Sequence, residues 1–279
     1  MVIRTYGWVQ NPSDFTKLKR TVQIFDPSST HYKRLRDKLI QEEIVYFEDI
    51  RNNLQKKLNN GVDSFNYLEL VGSSKDKQGN YARHRSVKEA NSLIQISWLP
   101  QQWKRTNKRF TDNWTSDGFL RWAVSLNFVH ANRSTDTFSL TELGKRFSQT
   151  EDDSDEEAEI LTQALLSYPP ATQVLKVLSE HNGYHTKFFI GDQLGFSGEK
   201  GFTSYDEKLM IDWLSSASDS ERKKIRRDVE GTSDKYARMI CGWLKKLGLV
   251  TTKRNTIKKG NYVRGAAKID FFLDSSRSK

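Results

Sequence analysis

A repeat inside the chain constrains its fold more than any other feature. Residues 115–129 read TSDGFLRWAVSLNFV and residues 232–250 read TSDKYARMICGWLKKLGLV. Both follow Thr-Ser-Asp-x-aromatic-x-Arg, and both end in Leu-x-large-Val. The second copy is four residues longer, about one helical turn, so an apolar face keeps its phase. In that copy Tyr236, Met239, Ile240, Trp243, Leu244 and Leu247 fall at i, i+3, i+4, i+7, i+8 and i+11, the stripe of a helix buried along one side. Phe119, Trp122, Ala123 and Leu126 do the same in the first copy. Thr or Ser is placed to cap each start, the Asp that follows suits the positive end of the helix dipole, and Gly248 suits the C′ position of the second helix.

After each helix the period changes. Residues 128–140 and 249–264 alternate around polar turns, as a β-hairpin does. Before the second helix lie helical segments at 156–167, 171–180 and 186–195, with breaks expected at Pro169-Pro170 and Gly183. Short helices, a final helix and then a hairpin is the layout of a winged helix-turn-helix. In that motif the last helix can enter the DNA major groove and the wing can touch the backbone. The expected fold is mainly α with small β-hairpins (an α+β chain), built as two tandem winged helix-turn-helix (CAP-like) subdomains. Residues 1–150, with an N-terminal arm, would form the first and residues 151–279 the second. The plainer alternative is a helical domain whose basic residues are simply solvated.

The charge follows the same division. The chain carries 45 Lys and Arg against 35 Asp and Glu, a net charge of +10. Residues 1–150 sum to +9, the tract 151–160 (EDDSDEEAEI) to -7, and residues 221–279 to +11. The acidic tract reads as a solvated connector whose end supplies the acidic first turn of a helix. Two basic halves favour an anionic partner, nucleic acid ahead of an anionic membrane surface. One cysteine, Cys241, leaves no disulfide framework and no thiolate zinc site. No apolar run reaches bilayer length, so the sequence points to a cytoplasmic protein with no membrane partner.

Candidate DNA contacts follow from side-chain chemistry. Lys235 and Arg238 are three apart near the start of the second repeat helix, hence on one face, with Glu230 just before it. Arg and Lys pair with guanine O6 and N7. Gln10 and Asn11 end an arm (TYGWVQNP) whose amides could read adenine, or could form a polar turn. The segment 83–109 interleaves cations, amides and aromatics, as nucleic-acid surfaces and solvated loops both do. Catalytic signals are poor. The five histidines show no ligand spacing, and no P-loop, Gly-x-Ser-x-Gly or His-Glu-x-x-His occurs. The nearest approach to a metal-nuclease motif, Asp192 with Asp206 and Lys208, lacks its Pro-Asp and reads as the start of an amphipathic helix. No catalytic or metal-binding residue is assigned.

Taken together, IRTYGWVQNP, DNWTSDGFLRWA, LLSYPPA, LGFSGEKGFTS and EGTSDKYARMICGWLKKLGLV resemble, in order and over nearly the whole chain, the recognition region of FokI-like type IIS restriction endonucleases. The resemblance implies double-stranded DNA as partner, a monomer in recognition, and a short asymmetric site, GGATG in close relatives. It implies that Gln10, Asn11 and Trp114 face DNA and that Glu230, Lys235 and Arg238 read bases. Arg85 matches a further family contact, and either Gln101 or Gln102 matches a glutamine contact. The RRDV segment departs from the family pattern at Arg227 and Asp228. In this family a further winged-helix-like piece and a Mg²⁺-dependent PD-(D/E)xK cleavage domain follow. Neither is recognisable in these 279 residues, so no cofactor is expected here, with Mg²⁺ belonging to a cleavage domain or nuclease subunit elsewhere. The rival readings are a winged-helix transcription regulator and a self-sufficient nuclease.

Overall fold

The computed structural model describes residues 14–40, 48–73, 90–98, 111–132, 134–181, 183–186, 189–190, 193, 218, 236–255 and 268–273. They belong to two compact units, one of Asp14–Ile160 and one whose described part starts at Leu161.

In the first unit α1 (Phe15–Gln23) starts where the Asp14 carboxylate accepts the Lys17 N–H at 3.2 Å. Ser29 caps α2 (Thr30–Arg34), which continues into a π turn at Leu35–Leu39. After α3 (Glu48–Asn59) come the two-residue strand β1 (Ser64–Phe65) and α4 (Tyr67–Val71). Asn66 and Glu69 cap α4 reciprocally, each side chain taking the other's backbone N–H. Then follow α5 (Leu93–Ser97), α6 (Asn113–Ser125), the hairpin β2 (Val129–Asn132) and β3 (Thr137–Leu140), and α7 (Glu142–Gln149). The first repeat helix is α6, and its Phe119, Trp122, Ala123 and Leu126 are all buried. Trp122 stacks on Phe15 of α1 at 5.4 Å between centroids, and Phe119 meets Trp98 edge-on at 4.5 Å. Aromatic pairs of this kind add to simple area burial.

Two expectations change here. The cap of α6 is Asp112, not Thr115 or Ser116; its Oδ1 accepts both the Thr115 N–H at 2.8 Å and the Thr115 hydroxyl at 2.6 Å. The Asp112 carboxylate both accepts a first-turn N–H and places a negative charge at the positive end of the helix. The helix therefore starts earlier, and Asp117 lies in its second turn. Second, residues 90–98, read as part of a mixed surface, are buried throughout. With Leu93, Ile94 and Ile96 turned into the core, α5 is a packing element.

The acidic tract also does more than connect. Ser154 accepts the Glu157 N–H at the start of α8 (Asp155–Leu166), whose first turn holds Asp155, Glu156 and Glu157 as expected. But Asp152 and Glu157 also meet the buried Lys19 ammonium at 2.9 and 3.4 Å, and Asp152 meets Arg20 at 2.6 Å. A lysine with no solvent access needs carboxylates beside it, so the tract is docked onto α1 rather than merely solvated.

In the second unit the helices break at the expected place, after Leu166, and Pro169 and Pro170 form the first turn of α9 (Pro169–Glu180) rather than the gap before it. Proline suits a first helical turn, where the missing N–H costs nothing. The strand β4 (His185–Thr186) occupies the start of the expected 186–195 helix; of that stretch 189, 190 and 193 are helical, and the rest lies outside the described residues. The second repeat helix, α10, is described over 236–246, with Tyr236, Ile240, Trp243, Leu244 and Leu247 buried and Met239 packed against Tyr236. Strands β5 (Val250–Asn255) and β6 (Lys268–Leu273) follow. The return strand thus lies beyond residue 264, where the hairpin was expected to end.

Both sheets have three antiparallel strands in one order. In the first the strands run β1-β3-β2, and in the second β4-β6-β5. In each, the two strands after the repeat helix form a hairpin, and a two-residue strand from earlier in the chain pairs with the returning one. The registers are Phe65↔Phe138 and Val129↔Leu140 in the first sheet, His185↔Phe271 and Val250↔Leu273 in the second. Among the described residues no helix is long and apolar enough to cross a membrane.

Candidate nucleic-acid interface

The repeat extends to the way each helix ends. Asn127, at φ 58°, donates its N–H to the Val124 carbonyl at 3.0 Å, while the Phe128 N–H reaches Ala123 at 2.9 Å. Gly248, at φ 71°, donates to Lys245 and Leu249 donates to Leu244, both at 2.9 Å. Both ends are Schellman motifs with a left-handed C′ residue, and each strand starts two residues after it, at Val129 and Val250. Asparagine and glycine serve because they tolerate positive φ. Helix and hairpin are therefore joined by the same corner in both units.

At the other end of α6 buried amides fix the backbone. Asn113 Nδ2 donates to the Val71 carbonyl at 2.5 Å and to Asn91 Oδ1 at 3.1 Å. Asn91 Nδ2 donates to Ser73 O, and Gln95 joins the Asn91 N–H to the Thr111 carbonyl. A Cβ on Gly72, at φ 78°, would lie 2.0 Å from Asn91 Oδ1, so only glycine lets the chain pass so close. This knot ties the ends of α4, α5 and α6 into one frame. Trp114, the next residue after Asn113, is 53% exposed on it.

Along the same side of α6 lie Asp117 and Arg121. Arg121 Nε is 2.7 Å from Asp117 Oδ2, and the Tyr67 hydroxyl donates to Asp117 Oδ1 at 2.9 Å. In the repeat, Arg121 takes the place of Arg238, and Gly118, buried, takes that of Lys235. The sequence reading missed this trio. The signal is the Arg shared by both copies of the repeat.

On α10 Arg238 is exposed, while Ala237, Ile240 and Cys241 beside it are buried. Burial pushes the Cys241 thiol well above its ordinary range, so it packs as a small apolar group. Of the expected contacts, then, Trp114 and Arg238 stand exposed on the N-terminal halves of the two repeat helices. Gln10, Asn11, Arg85, Gln101, Gln102, Glu230 and Lys235 lie outside the described residues, as do Asp192, Asp206 and Lys208. No group of three His, Cys, Asp or Glu side chains among the described residues could hold a metal ion. His181 and His185 are bound to the Val177 and His181 carbonyls at 3.0 and 2.8 Å, and both rings pack on Phe189.

Comparison with known proteins identifies the family. The family model for subdomain 1 of the FokI recognition domain matches residues 4–150, and that for subdomain 2 matches residues 157–273. The type II restriction enzyme FokI of Planomicrobium okeanokoites is 43% identical over 249 residues, which is 89% of this chain and 41% of that enzyme. The type II restriction enzyme StsI of Streptococcus sanguinis is 29% identical over 277 residues, 96% of this chain and 43% of that enzyme. The chain thus spans less than half the length of these relatives. The solved structure of FokI bound to DNA matches with a TM-score of 0.74 at 38% identity, over 98% of this chain and 46% of that one. A second solved structure of FokI matches with a TM-score of 0.71 at 37% identity, with the same coverage.

Proposed function

Since the chain belongs to the FokI recognition-domain family, we propose that it is the DNA-reading portion of a FokI-like type IIS restriction endonuclease. Its ligand is double-stranded DNA carrying a short asymmetric site of the GGATG type. Residues 1–150 and 151–279 act as two tandem winged-helix subdomains: α6 and α10 are the groove-facing helices and the hairpins after them are the wings. The observation that carries this reading is the repeated helix, Schellman corner and three-stranded sheet, in a chain similar to a DNA-bound FokI over 98% of its length.

The chemistry divides into two tasks. Lysines and arginines of the two basic halves contact phosphates and supply affinity without regard to sequence. Glu230, Lys235 and Arg238 read bases, Gln10, Asn11 and Trp114 face the DNA, and Arg85 and one of Gln101 and Gln102 are further contacts. Cleavage is the task of a separate Mg²⁺-dependent domain or nuclease subunit, and recognition is monomeric, in the bacterial cytoplasm.

Selection of binding sites from random duplex DNA, at fixed near-physiological salt, tests the reading. One asymmetric site, bound by a chain of monomeric mass, is expected; a palindrome bound by a dimer would point to a transcription regulator instead. On the selected site, Lys235→Ala or Arg238→Ala is expected to cost about 1–3 kcal/mol and to relax preference at the base it reads. Equal weakening on selected and random DNA would remove both residues from the base-reading set. Specific cutting of a plasmid by the purified chain with Mg²⁺ would overturn the division between reading and cleavage.

A further inference from the structure

We infer that Arg121 is a base-reading residue of the first unit, the counterpart there of Arg238, and that Asp117 and Tyr67 hold it in position. The inference rests on the proposed DNA-binding function and extends it to residues that the family resemblance did not supply. Four observations carry it. Arg121 occupies the place in the first Thr-Ser-Asp-x-aromatic-x-Arg copy that Arg238 occupies in the second. It lies seven residues after Trp114, two helical turns on and nearly in line with it, since seven residues advance about 700°. Trp114, Asp117 and Arg121 belong to the strip of α6 not turned into the core, whose opposite side carries the buried Phe119, Trp122 and Ala123. Finally, Arg121 is held rather than loose. Its buried Nε is ion-paired with Asp117, 2.7 Å from Oδ2 without the alignment of a hydrogen bond, and Asp117 is fixed in turn by the Tyr67 hydroxyl at 2.9 Å.

That arrangement leaves the terminal amino groups of Arg121 with no other partner among the described residues, on a side chain 31% exposed. A guanidinium ion-paired on its Nε side and presenting its two amino groups matches the paired acceptors of a guanine edge, and restricting the side chain beforehand lowers the entropy lost on contact. Phosphate oxygens offer similar acceptors, so the assignment to a base must be separated from one to the backbone. Gly118 stands where the second copy has Lys235. By sequence, then, the first copy has one cation at these two repeat positions where the second has two.

The test is a binding titration of Arg121→Ala and Arg121→Lys on the site selected by the parent chain, on variants of it with each base pair changed, and on random duplex. Both variants are expected to bind the selected site about ten- to a hundredfold more weakly, to bind random DNA nearly as the parent does, and to lose preference at one or two adjacent base pairs. Lysine keeps the charge and the fold but cannot reproduce the fork, so its failure to rescue is part of the expectation. Asp117→Asn and Tyr67→Phe should relax the same base pairs by a smaller factor. Parent-like discrimination by Arg121→Lys would overturn the inference. So would equal loss on selected and random DNA with a shallower salt dependence, the mark of a phosphate contact. Should Arg238→Ala lose discrimination while Arg121→Ala does not, only this inference falls. A parent chain that selects no site would remove the DNA-binding reading as well.

Discussion

His31 is buried at 5% exposure, with its Nε2 lacking a hydrogen-bond partner among the described residues. Burial above all, then the positive charges of Arg20 and Arg34, hold its imidazole down to about 3, against a small opposing pull from Asp152. The folded chain therefore keeps this ring neutral where the unfolded chain, with an ordinary value of 6.5, takes up a proton. Stability from this group is complete above pH 6.5 and falls as pH drops from there toward 3, by at most about 1.4 kcal/mol per pH unit. The carboxyls of Asp26 and Asp152 are also held below their ordinary range. Burial would raise both, but the hydroxyls of Ser148 and Ser28 around Asp26, and Lys19 and Arg20 beside Asp152, outweigh it. Their contribution is lost only at more acid pH, near and below the ordinary carboxylate value of about 4. Denaturant unfolding at pH 7, 6 and 5 should thus show falling stability, and His31→Gln should flatten that profile. An unchanged slope in the variant would assign the acid sensitivity to other groups. Neither His31 nor Lys19 was legible as buried, because an ionisable side chain in a polar stretch reads as solvated. Only the fold reveals that Asp152, 133 residues later than Lys19 in the chain, returns to cover it.

At the scale of elements, the helix stripes were legible because a 3.6-residue period is written directly in the spacing of Phe119, Trp122, Ala123 and Leu126. What was not legible depends on partners distant in sequence. Strands β1 and β4 are two residues each, too short for any period, and exist only because β3 and β6 offer an edge to pair with. The return strand β6 was misplaced because a long connection gives no alternation to follow. The corners are the best test of the repeat as structure. An L-residue with Cβ strains at φ 71°, so Gly248→Ala should destabilise the second unit by about 1 kcal/mol, and Asn127→Ala should do the same in the first for the same reason. Asn127→Gly should be close to neutral, since glycine already serves at the matching position. Removing the α6 cap with Asp112→Ala should cost about 0.5–2 kcal/mol. Thermal or denaturant melts resolve effects of this size. A neutral Gly248→Ala would mean that the second corner does not constrain its hairpin as the first one does.

Over the whole molecule, the uneven charge pattern and the internal repeat mark two copies of one helix-and-hairpin unit in the sequence itself. The same pattern did not reveal that the acidic tract, largely exposed as expected, also has its self-repulsion offset by Lys19 and Arg20 on α1. Charge runs report how a segment behaves in isolation, not what a neighbouring helix brings to it. Two modules also make a quantitative demand on recognition. Trp114 and Arg238 belong to different compact units and are packed on separate cores. If each unit reads its own part of one site, their contributions should be independent, and independent sites add to within about 0.5 kcal/mol. Trp114→Ala and Arg238→Ala should each weaken binding to the selected site, and the double variant should weaken it by the product of the two factors. Changing a base pair read by one unit should leave the effect of substitution in the other unit unaltered. A double variant no weaker than the worse single one would mean that both side chains serve one contact or one conformational step. A loss much greater than the product would mean that the first unit's grip on DNA sets the second unit's register, and recognition would then be a single cooperative event rather than two readings in tandem.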